Sequence, residues 1–324
     1  MKHDRLHVVA ACVLVTGLSI APALAQDYPN KPVRIVIGLA AGGGIDVITR
    51  VVAQKLSENM GQPVLVENKP GASGIIAAEF VAKAPADGYT LMMAPSGPMV
   101  FNAVMFPKLP YAPTRDFVPI AMAASFPLIA VVGSQSPIRN MRELVDYARA
   151  NPARANYAAS TAAFQLTSEL LNIQAGIKLE SISYKGTNES LTAVIAGDVL
   201  TTIADSGPAS GAIRGGKVRA LAVTSPKRMA AFPEVPTMAE AGFPQLDVQL
   251  WAGLFAPAGT PAAIVKKLED EIAKALKSAD VLQRFTTLTI NPGGANGAEL
   301  GALMAAEIAR WSEVARKSNI KLNN

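Results

Sequence analysis

A run of three glycines stands where the backbone could bind an anion. Gly42, Gly43 and Gly44 follow a short apolar segment at residues 33–37, and apolar residues at helical spacing begin just after Asp46. Glycine lets the backbone approach a ligand closely, and the free N–H groups at a helix N-terminus attract negative charge. The pattern therefore predicts a site for an anion, with a simple turn as the alternative, and the Asp46 side chain is expected to cap the helix.

The sequence matches two phosphate-binding motifs only in part. The dinucleotide fingerprint G-x-G-x-x-G requires a glycine where Val47 stands. Residues 211–217 fit the first seven places of a P-loop, but Val218 replaces the Ser or Thr, and a predicted strand follows in place of a helix. We interpret residues 211–217 as the end of a helix and a tight turn, and we expect no nucleotide or other cofactor.

The first 25 residues have the composition of an export signal. A positively charged start precedes an apolar run at residues 8–20, and Ala23-Leu24-Ala25 fits the A-x-A cleavage pattern. We expect cleavage after this motif, so that the mature chain begins at Gln26 and is periplasmic. A lipid-attachment box ending at Cys12 is the alternative. No later segment approaches the ~20 apolar residues of a membrane span.

Loss of that leader removes the one cysteine and both histidines, so residues 26–324 contain neither type. Thiol nucleophiles, imidazole bases, disulfides and His- or Cys-ligated metal sites are then excluded. No G-x-S-x-G elbow is present, and Glu269 and Asp270 lie on a lysine-rich helical face where surface salt bridges are expected. An acid-only metal site or a pair of glycosidase carboxylates stays open. We expect no metal and no catalysis; an exported enzyme on a similar scaffold is the alternative.

The charge balance does not indicate a nucleic-acid partner. The leader contains Lys2, Arg5 and Asp4, so the formal charge falls from +5 for the whole chain to +4 without it. The basic residues are dispersed, and pairs such as Lys227-Arg228 are the densest groups. An excess of this size attracts anions only weakly at physiological salt.

Short apolar segments alternate with amphipathic helical patterns along nearly the whole chain. Such alternation predicts mainly parallel α/β sheets flanked by helices. About 300 residues exceed the usual size of one core, so we expect two lobes. The predicted strands cover residues 33–37, 64–66, 89–93, 128–132, 156–159, 179–184, 199–204 and 218–224.

Nine segments carry a resemblance to a known family. They are YPNKPVR at 28–34, GGGID at 42–46, VENKPGASG at 66–74, ADGYTL at 86–91, YKGT at 184–187, RALAVT at 219–224, PEVPT at 233–237, WAGL at 251–254 and PAGTP at 257–261. In these the chain resembles the Bug-type receptors, the periplasmic substrate-binding proteins of tripartite tricarboxylate transporters. Two departures stand out: GLAA at 38–41 replaces the family's usual Pro-Phe-x-x, and Gln165 replaces a frequent histidine.

The resemblance implies a type II-like periplasmic binding protein fold, whose two lobes close on the ligand like a flytrap. It places residues 26–126 and 253–324 in lobe 1 and residues 127–252 in lobe 2, with crossings near Phe126 and Trp251. The implied ligand is a small organic acid, such as a dicarboxylate or an aromatic acid. One of its carboxylates is expected to lie against the glycine-rich loops.

The resemblance also implies ligand contacts residue by residue. They are Leu39, Ala40, Gly42, Gly43, Ile45, Asp46, Ala72, Ser73 and Ser96 in lobe 1, and Ser160, Thr161, Phe164, Gln165, Lys185, Gly186 and Asp205 in lobe 2. A bare Asp205 would repel an anionic ligand, so its side chain is expected to accept a hydrogen bond from a hydroxyl, an amine or water. An ordinary helix cap is the alternative for this residue.

The implied partners are the membrane subunits of a transporter, and signalling to a membrane kinase is the alternative output. We expect a monomer. Because no histidine remains after the leader, we also expect ligand binding to vary little between about pH 6 and 8.

Overall fold

The structure is a computed structural model that describes residues 28–288 and 290–320. The expected signal peptide, its cleavage site and the alternative lipid-attachment box lie outside the described residues. Within the described ranges, every helix is too short or too polar to cross a membrane.

The described residues form a curled sheet of ten strands flanked by helices. The strand order is β2-β1-β3-β9-β4-β7-β5-β6, and β8 and β10 also pair with β4. The strands are β1 Val33–Ile37, β2 Val64–Asn68, β3 Thr90–Pro95, β4 Phe117–Gly133, β5 Asn156–Ala159, β6 Glu180–Ser183, β7 Thr201–Asp205, β8 Val218–Val223, β9 Gln249–Pro257 and β10 Asn291–Pro292.

Helices cover both faces of this sheet. The α-helices are α1 Gly44–Met60, α2 Ile75–Ala82, α3 Asn102–Met105, α4 Pro113–Asp116, α5 Met141–Ala150, α6 Ala162–Ala175, α7 Thr187–Ala196, α8 Ser206–Arg214, α9 Ala262–Lys277, α10 Ala279–Thr287 and α11 Gly297–Lys317. Short 3-10 turns span Ala72–Gly74 and Pro152–Arg154, and a π-helical turn spans Gly97–Phe101.

β4 belongs to two groups of strands and joins them. It pairs with β9 as far as Pro127, and from Leu128 onward it pairs with β7 and β8. We call β1, β2, β3, β9, β10 and the first part of β4 the first half, and the remaining strands the second half. The sequence predicted only the second part of β4. Pro119 and Pro127 have no N–H to donate, so the first part does not have the composition of a central strand.

The sheet is mixed, which corrects the expectation of mainly parallel lobes. β1 pairs parallel with β2 and β3, and β5 pairs parallel with β6 and β7. In contrast, β4 and β9 run antiparallel to each other, β9 is antiparallel to β3, and β4 is antiparallel to β7 and β8. The reason is that β4 and β9 carry the chain from one parallel group to the other and back, so they run against their neighbours.

The C-terminal helix α11 packs where the two halves meet. It contacts β4 in the sheet and α6 of the second half. Its Trp311 is fully buried, with its ring centroid 5.3 Å from that of Phe101. On the same helix, Glu307 Oε2 accepts a hydrogen bond of 2.9 Å from the indole Nε1 of Trp251 in β9. Burial raises the pKa of Glu307 to about 7, although the Trp251 hydrogen bond and the Arg310 charge oppose the shift.

Glu307 should make the folded protein less stable as the pH rises from about 4.5 to 7. In that window the unfolded chain releases the proton from this carboxyl while the folded chain keeps it, so the free energy of unfolding falls. The full loss is on the order of 2–3 kcal/mol. Glu307→Gln keeps an acceptor for Trp251 and carries no charge. We expect it to raise Tm at pH 8 by roughly 5 °C and to leave Tm at pH 4.5 nearly unchanged.

Thermal unfolding of the wild type and the variant at both pH values measures this effect. Glu313→Gln is the matched control, because Glu313 lies on the exposed side of the same helix. Parallel pH profiles for the wild type and Glu307→Gln would contradict the assignment.

Candidate ligand-binding site

The loops after β1, β2 and β3 pack against one another at the carboxyl edge of these parallel strands. A Cβ on Gly38 would lie 2.8 Å from the Cα of Gly74, so the first two loops touch through their backbones. A Cβ on Gly74 would in turn lie 3.4 Å from Pro98, in the turn after β3. Asn102 Nδ2 donates to the carbonyl oxygen of Ser73 at 3.1 Å. The three loops therefore form one continuous surface.

The Asp46 carboxylate closes the first of these loops, which corrects its expected role as a helix cap. Gly43 occupies the N-cap position of α1, and Asp46 lies in the first turn. The carboxylate accepts hydrogen bonds from the Gly42 backbone N–H at 2.9 Å, from Arg50 Nε at 3.0 Å and from Asn68 Nδ2 at 3.0 Å. The Arg50 hydrogen bond is the main cause that lowers the pKa of Asp46 to about 2. Asp46 therefore holds the loop in place, and both of its carboxylate oxygens already accept hydrogen bonds from the protein.

Four helices that follow parallel strands begin without a side-chain cap: α1 and α2 after β1 and β2, and α7 and α8 after β6 and β7. Among the described residues, no side chain caps the N-termini of α1, α2, α7 or α8. Helix α6 differs, because Thr161 Oγ1 accepts a hydrogen bond from the Phe164 backbone N–H. Uncapped N-termini leave N–H groups free and carry the positive end of the helix dipole. At α1 and α2 the arrangement favours an anion, whereas Asp205 stands at the N-cap position of α8 and Glu189 lies in the first turn of α7.

The strand pairing brings the carboxyl ends of the two groups of parallel strands toward each other. The carboxyl end of β3 lies beside β9, where Pro95 pairs with Ala252, and Ala252 pairs with Ala124 of β4. The carboxyl end of β7 lies on the same strand, where Asp205 pairs with Leu128. Leu128 lies four positions after Ala124 in β4, which corresponds to about 13 Å at ~3.3 Å per residue. The loops of the two halves therefore face each other across the segment where β4 changes partners.

The side of the second half that faces this gap carries a carboxylate. Asp205 is partly buried, and its Oδ2 accepts a hydrogen bond of 3.2 Å from Thr187 Oγ1. Burial raises the pKa of Asp205 to about 6, against the effect of the Thr187 hydrogen bond. Asp205 stands at the N-cap position of α8 but accepts no capping hydrogen bond, so the helix-cap interpretation is wrong. The expectation of pH-independent binding rested on the absence of histidine alone and did not include this carboxyl, whose pKa is raised by burial.

Sequence comparison identifies the protein family. The model of the tripartite tricarboxylate transporter family receptor, TctC, matches residues 48–320. The chain belongs to this receptor family. Protein BugT of Bordetella pertussis is 33% identical to the receptor over 325 residues, which cover 99% of this chain and 100% of BugT.

Solved structures agree with this identification. R. palustris Rpa4515, solved with adipate, is 33% identical and matches with a TM-score of 0.80 over 91% of this chain and 99% of its own. MatC from Rhodopseudomonas palustris, solved with bound malate, is also 33% identical, with a TM-score of 0.76 over 89% and 99%. Members of this family are periplasmic solute-binding receptors and not enzymes. The resemblance to Bug-type receptors and the expected α/β fold of periplasmic binding proteins are confirmed.

The structure places the expected ligand contacts of the receptor in four groups. Leu39, Ala40, Gly42, Gly43, Ala72, Ser73, Thr161 and Lys185 are exposed on the facing loops. Ser160, Gln165, Gly186 and Asp205 are partly buried there, and Ile45, Asp46 and Ser96 are buried at the loop ends. Phe164 is 1% exposed and packs in the apolar core, so the structure does not bring its ring to the facing loops.

Two serines that the sequence did not single out are buried at the starts of helices in the second half. Ser190 and Ser206 are buried in the first turns of α7 and α8, and the hydroxyls of both lack a hydrogen-bond partner among the described residues. The hydroxyl of Ser160, after β5, also has none. No pattern in the sequence distinguishes such a serine from an ordinary residue of a helix start. The described residues contain no cluster of three acidic, His or Cys side chains that could hold a metal ion.

Proposed function

We propose that the receptor captures a small organic acid in the periplasm and delivers it to the membrane subunits of a tripartite tricarboxylate transporter. The observation that carries the proposal is the pair of uncapped helices α1 and α2, whose N-termini follow exposed loops at the carboxyl edge of parallel strands. N–H groups in a first turn without a side-chain cap suit a carboxylate, although the Ile75 N–H of α2 already donates to the carbonyl oxygen of Ala72. The adipate and malate bound to Rpa4515 and MatC are both carboxylates, which supports the same ligand class here.

The proposed mechanism is closure of two lobes on the ligand. The change of partners in β4 between Pro127 and Leu128 supports the first proposed crossing, near Phe126. On the return path β9 already pairs with the first half at Gln249, so we place the second crossing near residue 248, slightly before the position expected from the sequence. A ligand that touches both lobes favours the closed form by its extra contacts.

The proposal includes export and a simple assembly. We propose that the leader is removed after Ala25 and that the mature chain, from Gln26 onward, acts as a monomer.

We propose that the ligand binds with micromolar affinity. A micromolar dissociation constant corresponds to about 8 kcal/mol of binding free energy. A few charge-assisted hydrogen bonds from backbone N–H groups together with an apolar wall supply energy of that size.

A thermal-shift screen of the mature protein tests the proposed function. The panel contains mono-, di- and tricarboxylates, aromatic acids, amino acids and sugars. A ligand at 100 times its dissociation constant stabilises the folded state by about 2.7 kcal/mol, a shift of several degrees for a chain of this size. We expect stabilisation by one class of acids. Stabilisation by sugars and by no acid would contradict the proposal.

A further inference from the structure

The loop after β2 contains a turn whose backbone is strained. All four of its residues have positive φ: 137° at Gly71, 45° at Ala72, 54° at Ser73 and 85° at Gly74. The Gly74 N–H donates to the carbonyl oxygen of Gly71 at 2.9 Å and closes the turn. Glycine adopts positive φ freely, but Ala72 and Ser73 carry a Cβ, which makes this conformation costly for them. The turn therefore persists only if its surroundings hold it.

The same turn leaves two successive backbone N–H groups available. Within the described ranges, the N–H groups of Ala72 and Ser73 form no hydrogen bond, and both residues are exposed. Successive N–H groups in a tight turn form a concave site for an anion. The strained conformation is thus the one in which this loop can donate two hydrogen bonds to a carboxylate.

A buried asparagine holds the turn from the protein side. Asn102 is 3% exposed, and its Nδ2 donates to the carbonyl oxygen of Ser73 at 3.1 Å. Asn102 directly follows the π-helical turn at Gly97–Phe101, a rare geometry that often occurs at functional sites. The buried hydroxyl of Tyr111 donates to the carbonyl oxygen of Pro98 at 2.8 Å and fixes this π-helical turn. Asn102 is too deeply buried to contact a ligand, so it acts on binding through Ser73.

We propose that Asn102 is a positioning residue that keeps the turn at residues 71–74 in the form that receives the carboxylate. This inference rests on the proposed function, because it assumes that the carboxylate lies against this loop. Without the Asn102 donor, the strain at Ala72 and Ser73 favours a relaxed turn in which their N–H groups no longer converge. The apparent affinity then falls in proportion to the fraction of the receptor that keeps the competent turn.

Asn102→Ala should weaken carboxylate binding about tenfold. Calorimetry at pH 8 measures the loss with adipate and malate, the acids bound to Rpa4515 and MatC, and with every acid that stabilises the wild type in the thermal-shift screen. Asn172→Ala is the matched control. Asn172 is also buried, and its Nδ2 donates to the carbonyl oxygen of Leu179 at 3.0 Å, at the end of α6 that lies away from the facing loops. Both variants lose a buried hydrogen bond, but only Asn102→Ala should lose affinity.

A second substitution separates positioning from a general loss of structure. Ala72→Gly removes the cost of positive φ at this residue. Combined with Asn102→Ala, it should restore affinity at least about threefold, whereas it would not repair a cavity left by the asparagine. Asn102→Leu keeps the approximate shape of the side chain without the donor, and it should show the same tenfold loss if the alanine variant does not fold.

The outcomes distinguish this inference from the proposed function. Wild-type affinity in Asn102→Ala or Asn102→Leu would overturn the positioning role, as would an equal loss in Asn172→Ala or no recovery with Ala72→Gly. In each of these cases the wild type still binds a carboxylate, and the proposed function stands. If no carboxylate binds the wild type, both fail.

Discussion

Gly43→Val should weaken carboxylate binding by about 100-fold or more while leaving the stability of the receptor nearly unchanged. Gly43 has φ −76° and ψ 167°, which any residue adopts, and it is exposed. A Cβ at this position would meet only the carbonyl oxygen of Ala40, at 3.5 Å, so the valine fits the fold. Its methyl groups, however, would stand in front of the free N–H groups of α1. Loss of one or two charge-assisted hydrogen bonds, each worth about 1.5–3 kcal/mol, accounts for the expected loss of affinity.

The experiment combines calorimetry with thermal unfolding. Gly294→Val is the matched control, because Gly294 is also exposed, has open space around its Cα and lies near β10, away from the facing loops. Both variants should unfold close to the wild-type temperature, and only Gly43→Val should lose affinity. Unchanged affinity in Gly43→Val would move the carboxylate away from the first loop.

Trp251→Ala should destabilise the receptor by about 3–5 kcal/mol, the range found when a buried large aromatic side chain is truncated. Trp251 is 1% exposed, and its ring centroid lies 6.2 Å from that of Phe255. The substitution leaves a cavity and also removes the N–H that donates to the buried Glu307 carboxyl. At roughly 2–4 °C per kcal/mol, Tm should fall by about 10 °C.

Trp251→Phe separates the two contributions. Phenylalanine keeps most of the packing and lacks the indole N–H, so we expect this variant to lose about 1–3 kcal/mol, the cost of an unsatisfied buried acceptor. Denaturant unfolding of the three proteins provides the free energies. A loss below about 1 kcal/mol in Trp251→Ala would show that the contact between β9 and α11 does not stabilise the junction of the two halves.

Local signals in the sequence are sufficient to predict many of the strands and helices of the first half. The predicted strand–glycine–helix unit at residues 33–60 is present as β1 and α1, and Gly61 ends the helix in the left-handed conformation with φ 69°. The interpretation of residues 211–217 as a helix end and a turn is also confirmed, because α8 ends at Arg214 and β8 begins at Val218. Each of these features depends on residues that are close in the chain, so pattern and turn chemistry specify them.

Features that depend on distant pairing were not predicted. The first part of β4 is a strand because it pairs with β9, more than 100 residues later in the chain. Its prolines are unusual in a central strand, so the sequence pattern does not predict it. The role of Asp46 depends on Asn68 and on a loop that turns at Gly42, which has φ 82°. The buried hydroxyls of Ser190 and Ser206 depend on how α7 packs against α8. The identity of the acid likewise depends on loop positions and not on any one motif.

The most direct test of the carboxylate site is calorimetric titration of the best acid from the screen beside its primary amide. The two compounds have nearly the same shape, but the amide has no negative charge and presents one oxygen instead of two to the N–H groups of α1 and α2. The account predicts that the acid binds with micromolar affinity and that the amide binds at least about 100-fold more weakly. Equal binding of the acid and the amide would contradict recognition of the ligand by its carboxylate.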